Sequence, residues 1–306
     1  MKQWEASAGH LSCPVCRDPL ETEARSLRCA ARHSYDVTRE GYVDLLPTGH
    51  GRSKRTGDAM EMVRARERFL YRGHFRPLAD GLVRAARAHQ PRRRRTDSGT
   101  VVLEAGCGPG YYLGQVARRM DGFAGGRGRG SGGIALGTDV SPDALRVAAR
   151  AHPAIAFFRN DIHHRLCVAD ACVDLLLNVF APRSPPEFAR VTRPGGTLLA
   201  VVTTPGHLHE LRDSLTLLGI RPEKRRVVEN QLAGSGYFVL DGVERLERRL
   251  DLEGEDVLDL LKMTPNYWRT EDEARQEAAA AGARPVTLAV EVLRFTRTGM
   301  AIAGGH

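Results

Sequence analysis

Four residues near the start of the chain could hold a metal. Cys13 and Cys16 form a C-x-x-C knuckle, and twelve residues later Cys29 and His33 form a C-x-x-x-H pair. Three of the six cysteines therefore sit in one short run closed by a histidine. Two such knuckles can fold over a single tetrahedral zinc, which accepts sulfur and nitrogen together. Four protein ligands leave no open position, so the expected Zn2+ is structural, one per chain. A thioredoxin-type redox pair is disfavoured, because no strand–helix pattern surrounds this C-x-x-C. Arg17, Arg25, Arg28 and Arg32 decorate the knuckles, and could meet phosphates or simply form a solvated face.

A second group of residues could hold a nucleotide-like ligand. Gly106, Gly108 and Gly110 alternate within "EAGCGPG", between an apolar run and a helical pattern. Glycines there allow a tight turn and close approach of backbone to ligand. The spacing is G-x-G-x-G, preceded by the acidic Glu104, where a dinucleotide fingerprint would read G-x-G-x-x-G. Asp139 ends the next apolar run, where a carboxylate can accept hydrogen bonds from ribose hydroxyls. Asp161 ends the third, placed to meet an adenine amino group.

These residues need elements to position them. From Thr100 onward strands and helices alternate: "TVVLEAG", "YYLGQVARRM", "IALGTDV", "SPDALRVAARAH", "AIAFFRND", "VDLLLNVFAP", "PPEFARVTRP" and "GGTLLAVVTTP". Ser141 supplies an N-cap and Pro142 the first helical position. Alternation of this kind predicts an α/β fold with a doubly wound, mostly parallel sheet. Further on, helices are expected near "GEDVLDLLKM" and "TEDEARQEAAAAG", and a strand over "PVTLAVEVLRF". The Gly-rich stretch 122–133 reads as a surface insertion. Before the sheet, "HSYDVTREGYVDLLP" reads as short strands completing the zinc module, "GHGRSKRTG" as a linker, and two helices follow over Asp58–Leu70 and from about Pro77. The expected organisation is a zinc-binding RNA-recognition module over 1–48, linker and helices over 49–98, and a ligand-binding α/β domain over 99–306.

Composition sets the outer bounds. The 306 residues are 42% hydrophobic, enough for a sizeable core. No apolar run approaches the ~20 residues that span a bilayer, and "MKQWEASAGHLSC" has no signal-peptide h-region. A cytoplasmic protein with no membrane partner is expected, in a compartment where disulfides are rare. The net charge of +8 favours a polyanionic partner.

The chain as a whole resembles the 23S ribosomal RNA (guanine-N1)-methyltransferases, a family with housekeeping and macrolide-resistance members. The resemblance lies in "CPVC…C…H", "EGYVDLLP", "GDAMEMVRARERFLYRGHFRPL", "EAGCGPGYY", "LGTDVSPDAL", "FAP", "EFARVTRPGG", "TPGHLHEL" and "MTPNYW". It implies a class I (Rossmann-like) methyltransferase fold with a small N-terminal zinc module, and S-adenosyl-L-methionine as cofactor. It also implies methylation of guanine N1 in a 23S rRNA hairpin, with a role in macrolide resistance and a homodimer both open. By resemblance, zinc sits on Cys13, Cys16, Cys29 and His33. The cofactor contacts Gly110, Tyr111, Asp139 and His207, with Phe75 where the family commonly has tyrosine. Glu104, Gly106 and Gly108 complete the expected cofactor set.

The reaction needs a group to take the N1 proton; candidates are His163, His164, Asp161 and His207. Asn178, after the fourth strand, could hydrogen-bond the base edge. Phe180 and Pro182 could form a stacking platform. Asp161, His164 and Asn178 are thus the expected catalytic residues. Two other readings stay open on the residues alone: a small-molecule methyltransferase with a structural zinc knuckle, and a non-enzymatic RNA-binding zinc protein.

Overall fold

The structure is a computed structural model. It describes residues 1–47, 58–88, 99–120, 132–215, 223–264 and 282–299, with 273, 276, 279 and 280. Outside these residues lie the linker with Arg52, Lys54 and Arg55, the basic run at 92–95, most of the Gly-rich stretch, most of the helix expected near "TEDEARQEAAAAG", and the end of "MTPNYW".

The chain opens with helix α1 (Lys2–Ser7), followed by three short strands, β1 (Glu21–Glu23), β2 (Ser26–Arg28) and β3 (Ser34–Asp36), which form an antiparallel sheet in the order β1-β2-β3. Next come β4 (Tyr42–Asp44), α2 (Met60–Tyr71) and α3 (Arg76–Ala88). The alternating region follows as β5 (Val101–Ala105), α4 (Tyr111–Arg119), β6 (Ile134–Asp139), α5 (Pro142–Ala151), β7 (Ala156–Arg159), β8 (Val173–Val179), α6 (Pro185–Val191) and β9 (Thr192–Thr203). The remainder is α7 (His209–Leu215), α8 (Lys224–Leu232), β10 (Phe238–Leu252), α9 (Gly254–Lys262) and β11 (Arg284–Arg297).

The large sheet has eight strands in the order β10-β11-β9-β8-β5-β6-β7-β4. Strands β4 to β9 run parallel, and β11 and β10 are antiparallel additions beyond β9. The doubly wound sheet expected from the alternation is present. Its strand order reverses at β5, whose neighbours are β6 and β8, and open α/β sheets bind ligands at such a switch point. At the start of α5, Ser141 Oγ accepts the Ala144 amide at 3.3 Å, as its capping role requires.

Parallel strands buried on both faces explain the near-continuous apolar runs of β5 and β8. In β5, Val102 joins a core with residues from α2, α3, α4, α5 and α9. Val101, Leu103 and Ala105 point the other way, into a core shared with Trp4, Leu11, Leu20, Leu27, Phe188 and Val228. The N-terminal ribbon is therefore a covering layer of the main sheet.

One strand joins the two layers. Tyr42–Asp44 bridges back to the ribbon through Val43 and Val37, and it also pairs in parallel with β7 at the edge of the large sheet, Tyr42 opposite Phe157. Backbone bonds tie the module down further, from Ser12 to the Cys167 carbonyl, from Ala169 to the His10 carbonyl, and from Leu45 to the Arg159 carbonyl. A small ribbon gains stability by sharing a core it cannot bury alone. Strand β10 escapes the sequence pattern. Its "VERLERRLDL" favours helix by propensity, yet pairing along the whole of β11 overrides this.

Ribbon and sheet should consequently unfold together. Trp4 is wholly buried in the shared core, so Trp4→Ala should cost about 3–5 kcal/mol. Urea titration followed by circular dichroism and by a zinc-release dye should give coincident transitions, both shifted by the substitution. Separate transitions would show an independent module.

Candidate functional site

The four expected metal ligands meet. His33 Nδ1 lies 3.6 Å from Cys13 Sγ and 3.4 Å from Cys29 Sγ, and Cys16 Sγ lies 3.5 Å from Cys29 Sγ. All four donor atoms fall within 4.8 Å of one another. The edges of a tetrahedron around zinc measure roughly 3.5–3.8 Å for sulfur and nitrogen donors, so the set fits that ion. Burial alone would raise the Cys13 thiol. Hydrogen bonds from the Cys16 and Val15 backbone and from the Tyr35 hydroxyl, 3.1 Å away, instead bring it down to about 6. Within the knuckle Cys13 is the member that carries a thiolate, the form that binds metal, while Cys16, hydrogen-bonded to the Cys13 and Cys29 sulfurs, is pushed up to about 12.

At the switch point, the turn after β5 folds against the end of β6. The Gly106 and Cys107 amides both donate to the Thr138 carbonyl at 2.9 Å. Gly106, Gly108 and Gly110 have φ of +77°, +53° and +75°, a region that favours glycine. Their tasks differ. A Cβ at Gly106 would sit 2.4 Å from the Ala181 side chain, so this glycine lets the β5 and β8 loops touch. A Cβ at Gly110 would meet Phe157 at 2.9 Å and Ala148 at 3.1 Å. Gly110 therefore serves helix–sheet packing and is not part of the cavity wall.

A cavity of about 810 Å³ opens over this turn. Phe75, Glu104, Gly106, Gly108, Tyr111, Asp139, Asp161 and His207, all expected site residues, line it. Asp139 is held firmly, accepting Gly108 N at 2.8 Å and Ser141 N at 2.9 Å. Glu104 is buried beneath the turn, where Oε2 accepts the Leu113 amide at 2.9 Å. Burial pushes its carboxyl up to about 8, and the nearby Asp139 charge adds to the rise while the Leu113 hydrogen bond opposes it.

On the far side His207 is buried, and its Nδ1 lies 3.3 Å from the Ala289 amide that donates to it. Burial, reinforced by the Lys224 and Arg212 cations, drops His207 to about 3. The ring is neutral, and with Nδ1 accepting, Nε2 carries the proton. Phe180 stacks near His207, with ring centroids 6.5 Å apart and planes at 25°. Phe180 is 41% exposed and adopts φ +54°, a strained conformation for a bulky residue that presents its ring to the cavity.

Two expected catalytic residues lie elsewhere. Asn178 is fully buried, and its Nδ2 donates to the Ala105 carbonyl at 3.3 Å and the Pro182 carbonyl at 2.9 Å. It braces the "FAP" loop and does not face the cavity. His164 is outside the cavity wall, half-exposed, 3.8 Å from Asp161. The neighbouring His163 does line the cavity, its amide bonded to Asp161 Oδ1 at 2.9 Å.

Sequence reasoning missed the roof. Helix α2 lays Met62, Arg66 and Leu70 over the cavity, with Asp58 paired to Arg66 and the Asp58 carbonyl bonded to Ser141 Oγ at 2.9 Å. It also missed Arg212 and Lys224 on the opposite wall. The helical period of Asp58–Leu70 was legible, but nothing in a period says which face covers a ligand.

Comparison with known proteins finds relatives along nearly the whole chain. Residues 11–54 match the family described as "RlmA, N-terminal", a zinc ribbon. The chain is 41% identical over 94% of its length to a Micromonospora griseorubida protein, 97% covered, provisionally named a 23S rRNA (guanine-N(1)-)-methyltransferase. It is 38% identical over 92% of its length to the 23S rRNA (guanine(748)-N(1))-methyltransferase of Streptomyces fradiae, 94% covered.

The site supplies two expectations. Purified protein should carry one zinc per chain by elemental mass spectrometry, and Cys29→Ser should lose it; full zinc retention would exclude this ligand set. The second concerns pH. Glu104 is raised in the folded state, so between its ordinary value and about 8 the folded chain keeps a proton that the unfolded chain has released. Stability therefore falls as pH rises through that window. In Glu104→Gln the decline measured by urea unfolding should be shallower, by up to ~1.4 kcal/mol per pH unit.

Proposed function

Because the chain belongs to the family of 23S rRNA (guanine-N1)-methyltransferases, we propose that it methylates N1 of a guanine in 23S ribosomal RNA, using S-adenosylmethionine. The observation that carries this reading is a single cavity joining the glycine turn and Asp139 to the strained, exposed Phe180. S-adenosylmethionine supplies an electrophilic methyl group on a sulfonium. Gly106 and Gly108 would let it approach the backbone, and Asp139 would take its ribose hydroxyls. Both Asp139 oxygens already accept an amide, yet each keeps a lone pair for a hydroxyl. Phe75 and Tyr111 would give the cofactor apolar cover, and His207 a donor at Nε2–H. Glu104 fixes the turn from below.

On the acceptor side, Phe180 offers a face on which an extruded guanine stacks. The N1 proton must leave as the nitrogen lone pair forms its bond to carbon. Asp161 lines the cavity but follows β7, across β5 and β6 from Phe180, so it serves the adenine end of the cofactor and the N1 proton leaves to solvent. His207 is a poor base here, because its one basic nitrogen is engaged by the Ala289 amide. Asn178 keeps the Phe180 loop in place. The zinc ribbon, through Arg17, Arg25, Arg28 and Arg32, would hold the phosphates of an RNA hairpin without reading its bases. A homodimer and a macrolide-resistance role belong to the same reading. Light scattering tests the first, and drug susceptibility of a host expressing the protein tests the second.

Mass-spectrometric mapping of 23S rRNA treated with the protein and S-adenosylmethionine should find 1-methylguanosine at a discrete position. Asp161→Asn should weaken S-adenosylmethionine binding by about tenfold in calorimetry while kcat at saturating cofactor holds. A lowered kcat with unchanged cofactor affinity would overturn this placement.

A further inference from the structure

Many of the described arginines are paired with carboxylates. Arg66 meets Asp58, Arg68 meets Asp259, Arg159 meets Asp44, and Arg190 meets Glu187. Three cations near the Phe180 end of the cavity break that habit. Lys224 donates to the Thr203 hydroxyl at 2.9 Å and has no carboxylate partner among the described residues. Arg212 spends one nitrogen on the Pro205 carbonyl, and its Nη1 is buried with no partner. Arg183, just after the "FAP" loop but outside the cavity wall, holds its Nε buried and unpartnered. Lys224 and Arg212 share the cavity wall with His207 and Phe180. Like charges gathered on a half-buried wall, with unmet donors, are costly until an anion joins them.

The wall has a definite place in the fold. The glycine turn, Asp139 and Asp161 follow β5, β6 and β7, whereas Phe180 follows β8 and Thr203 ends β9. Lys224 and Arg212 line the cavity beside Thr203 and Phe180, on the side away from Asp139 and Asp161.

We propose that Arg212 and Lys224 form a phosphate subsite, which grips a phosphodiester flanking the acceptor guanosine and so holds the base against Phe180. The alternative anion is the cofactor's own carboxylate, which a measurement of cofactor affinity separates from a phosphate of the RNA. The subsite rests on the methylation reading above, but it can be tested apart from it.

The test uses the zinc-loaded full chain with Arg212→Gln, Lys224→Gln, the double variant, and Lys224→Arg as the charge-keeping control, each checked for native circular dichroism. Cofactor affinity is measured by calorimetry with S-adenosylmethionine. Binding of guanosine 5′-monophosphate and of guanosine is measured with S-adenosylhomocysteine present. KM and kcat are measured on 23S rRNA. In the double variant, cofactor affinity should hold within about twofold while the KM for RNA rises about tenfold or more. The salt slope of RNA binding should shrink by about one per cation removed. Preference for the nucleotide over the nucleoside should vanish, and Lys224→Arg should restore it. Weakened cofactor binding with an unchanged RNA KM would overturn the proposal and give these cations to the cofactor carboxylate. An unchanged nucleotide preference would overturn it as well. If the wild type fails to methylate 23S rRNA but keeps a nucleotide preference that Lys224→Gln abolishes, the methylation reading fails and the phosphate subsite stands.

Discussion

The site hangs on one carbonyl. Thr138, one residue before the end of β6, offers an oxygen that receives two amides from the neighbouring turn, and the last residue, Asp139, fastens that turn again through Gly108. These bonds pin the loop after β5 to the end of β6. An α-carbon with a side chain could not follow this path cheaply, because three of its residues need positive φ. With the turn fixed, Gly106 can lie against Ala181, and the loop carrying Phe180 acquires its position. The two halves of the cavity, on either side of the switch point, are thereby set relative to each other.

Support comes from beneath as well as beside. Glu104 binds the first turn of α4 from within the core, and Asn178 ties the β5 end to the β8 loop. Neither needs to meet a ligand to matter. A buried carboxyl with one amide partner, and a buried amide with its oxygen unmet, are expensive groups to keep in a core. Both sit at joints where backbone would otherwise be unpaired, which accounts for their placement better than direct chemistry does.

Much of this was legible before any coordinates. Cysteine spacing encodes a metal site because ligand geometry is local to two short knuckles. The glycine turn and the acids at strand ends were legible because strand–helix alternation places them on a common edge. What escaped had no local signature. Strand β10 is written in helix-favouring, charged residues and owes its form to a partner over thirty positions away in sequence. The roles of Gly110 and Asn178 depend on what lies across from them, Phe157 in one case and Pro182 in the other. Arg212 and Lys224 belong to no motif, and only the packing of α7 and α8 brings them to the cavity.

The core shared by ribbon and sheet has a consequence for inheritance and for engineering. A small zinc module joined by a tether can be exchanged between relatives as a cassette. This one cannot, because Leu11, Leu20 and Leu27 are packed into the same apolar cluster as Leu103, Leu136 and Phe158. A graft would import one half of an interior without the other, leaving gaps or overlaps at the seam. Substitutions that the fold tolerates should therefore accumulate on the outer face of the ribbon, where Val15 is exposed. The inner face must instead co-vary, residue against residue, with the sheet it covers.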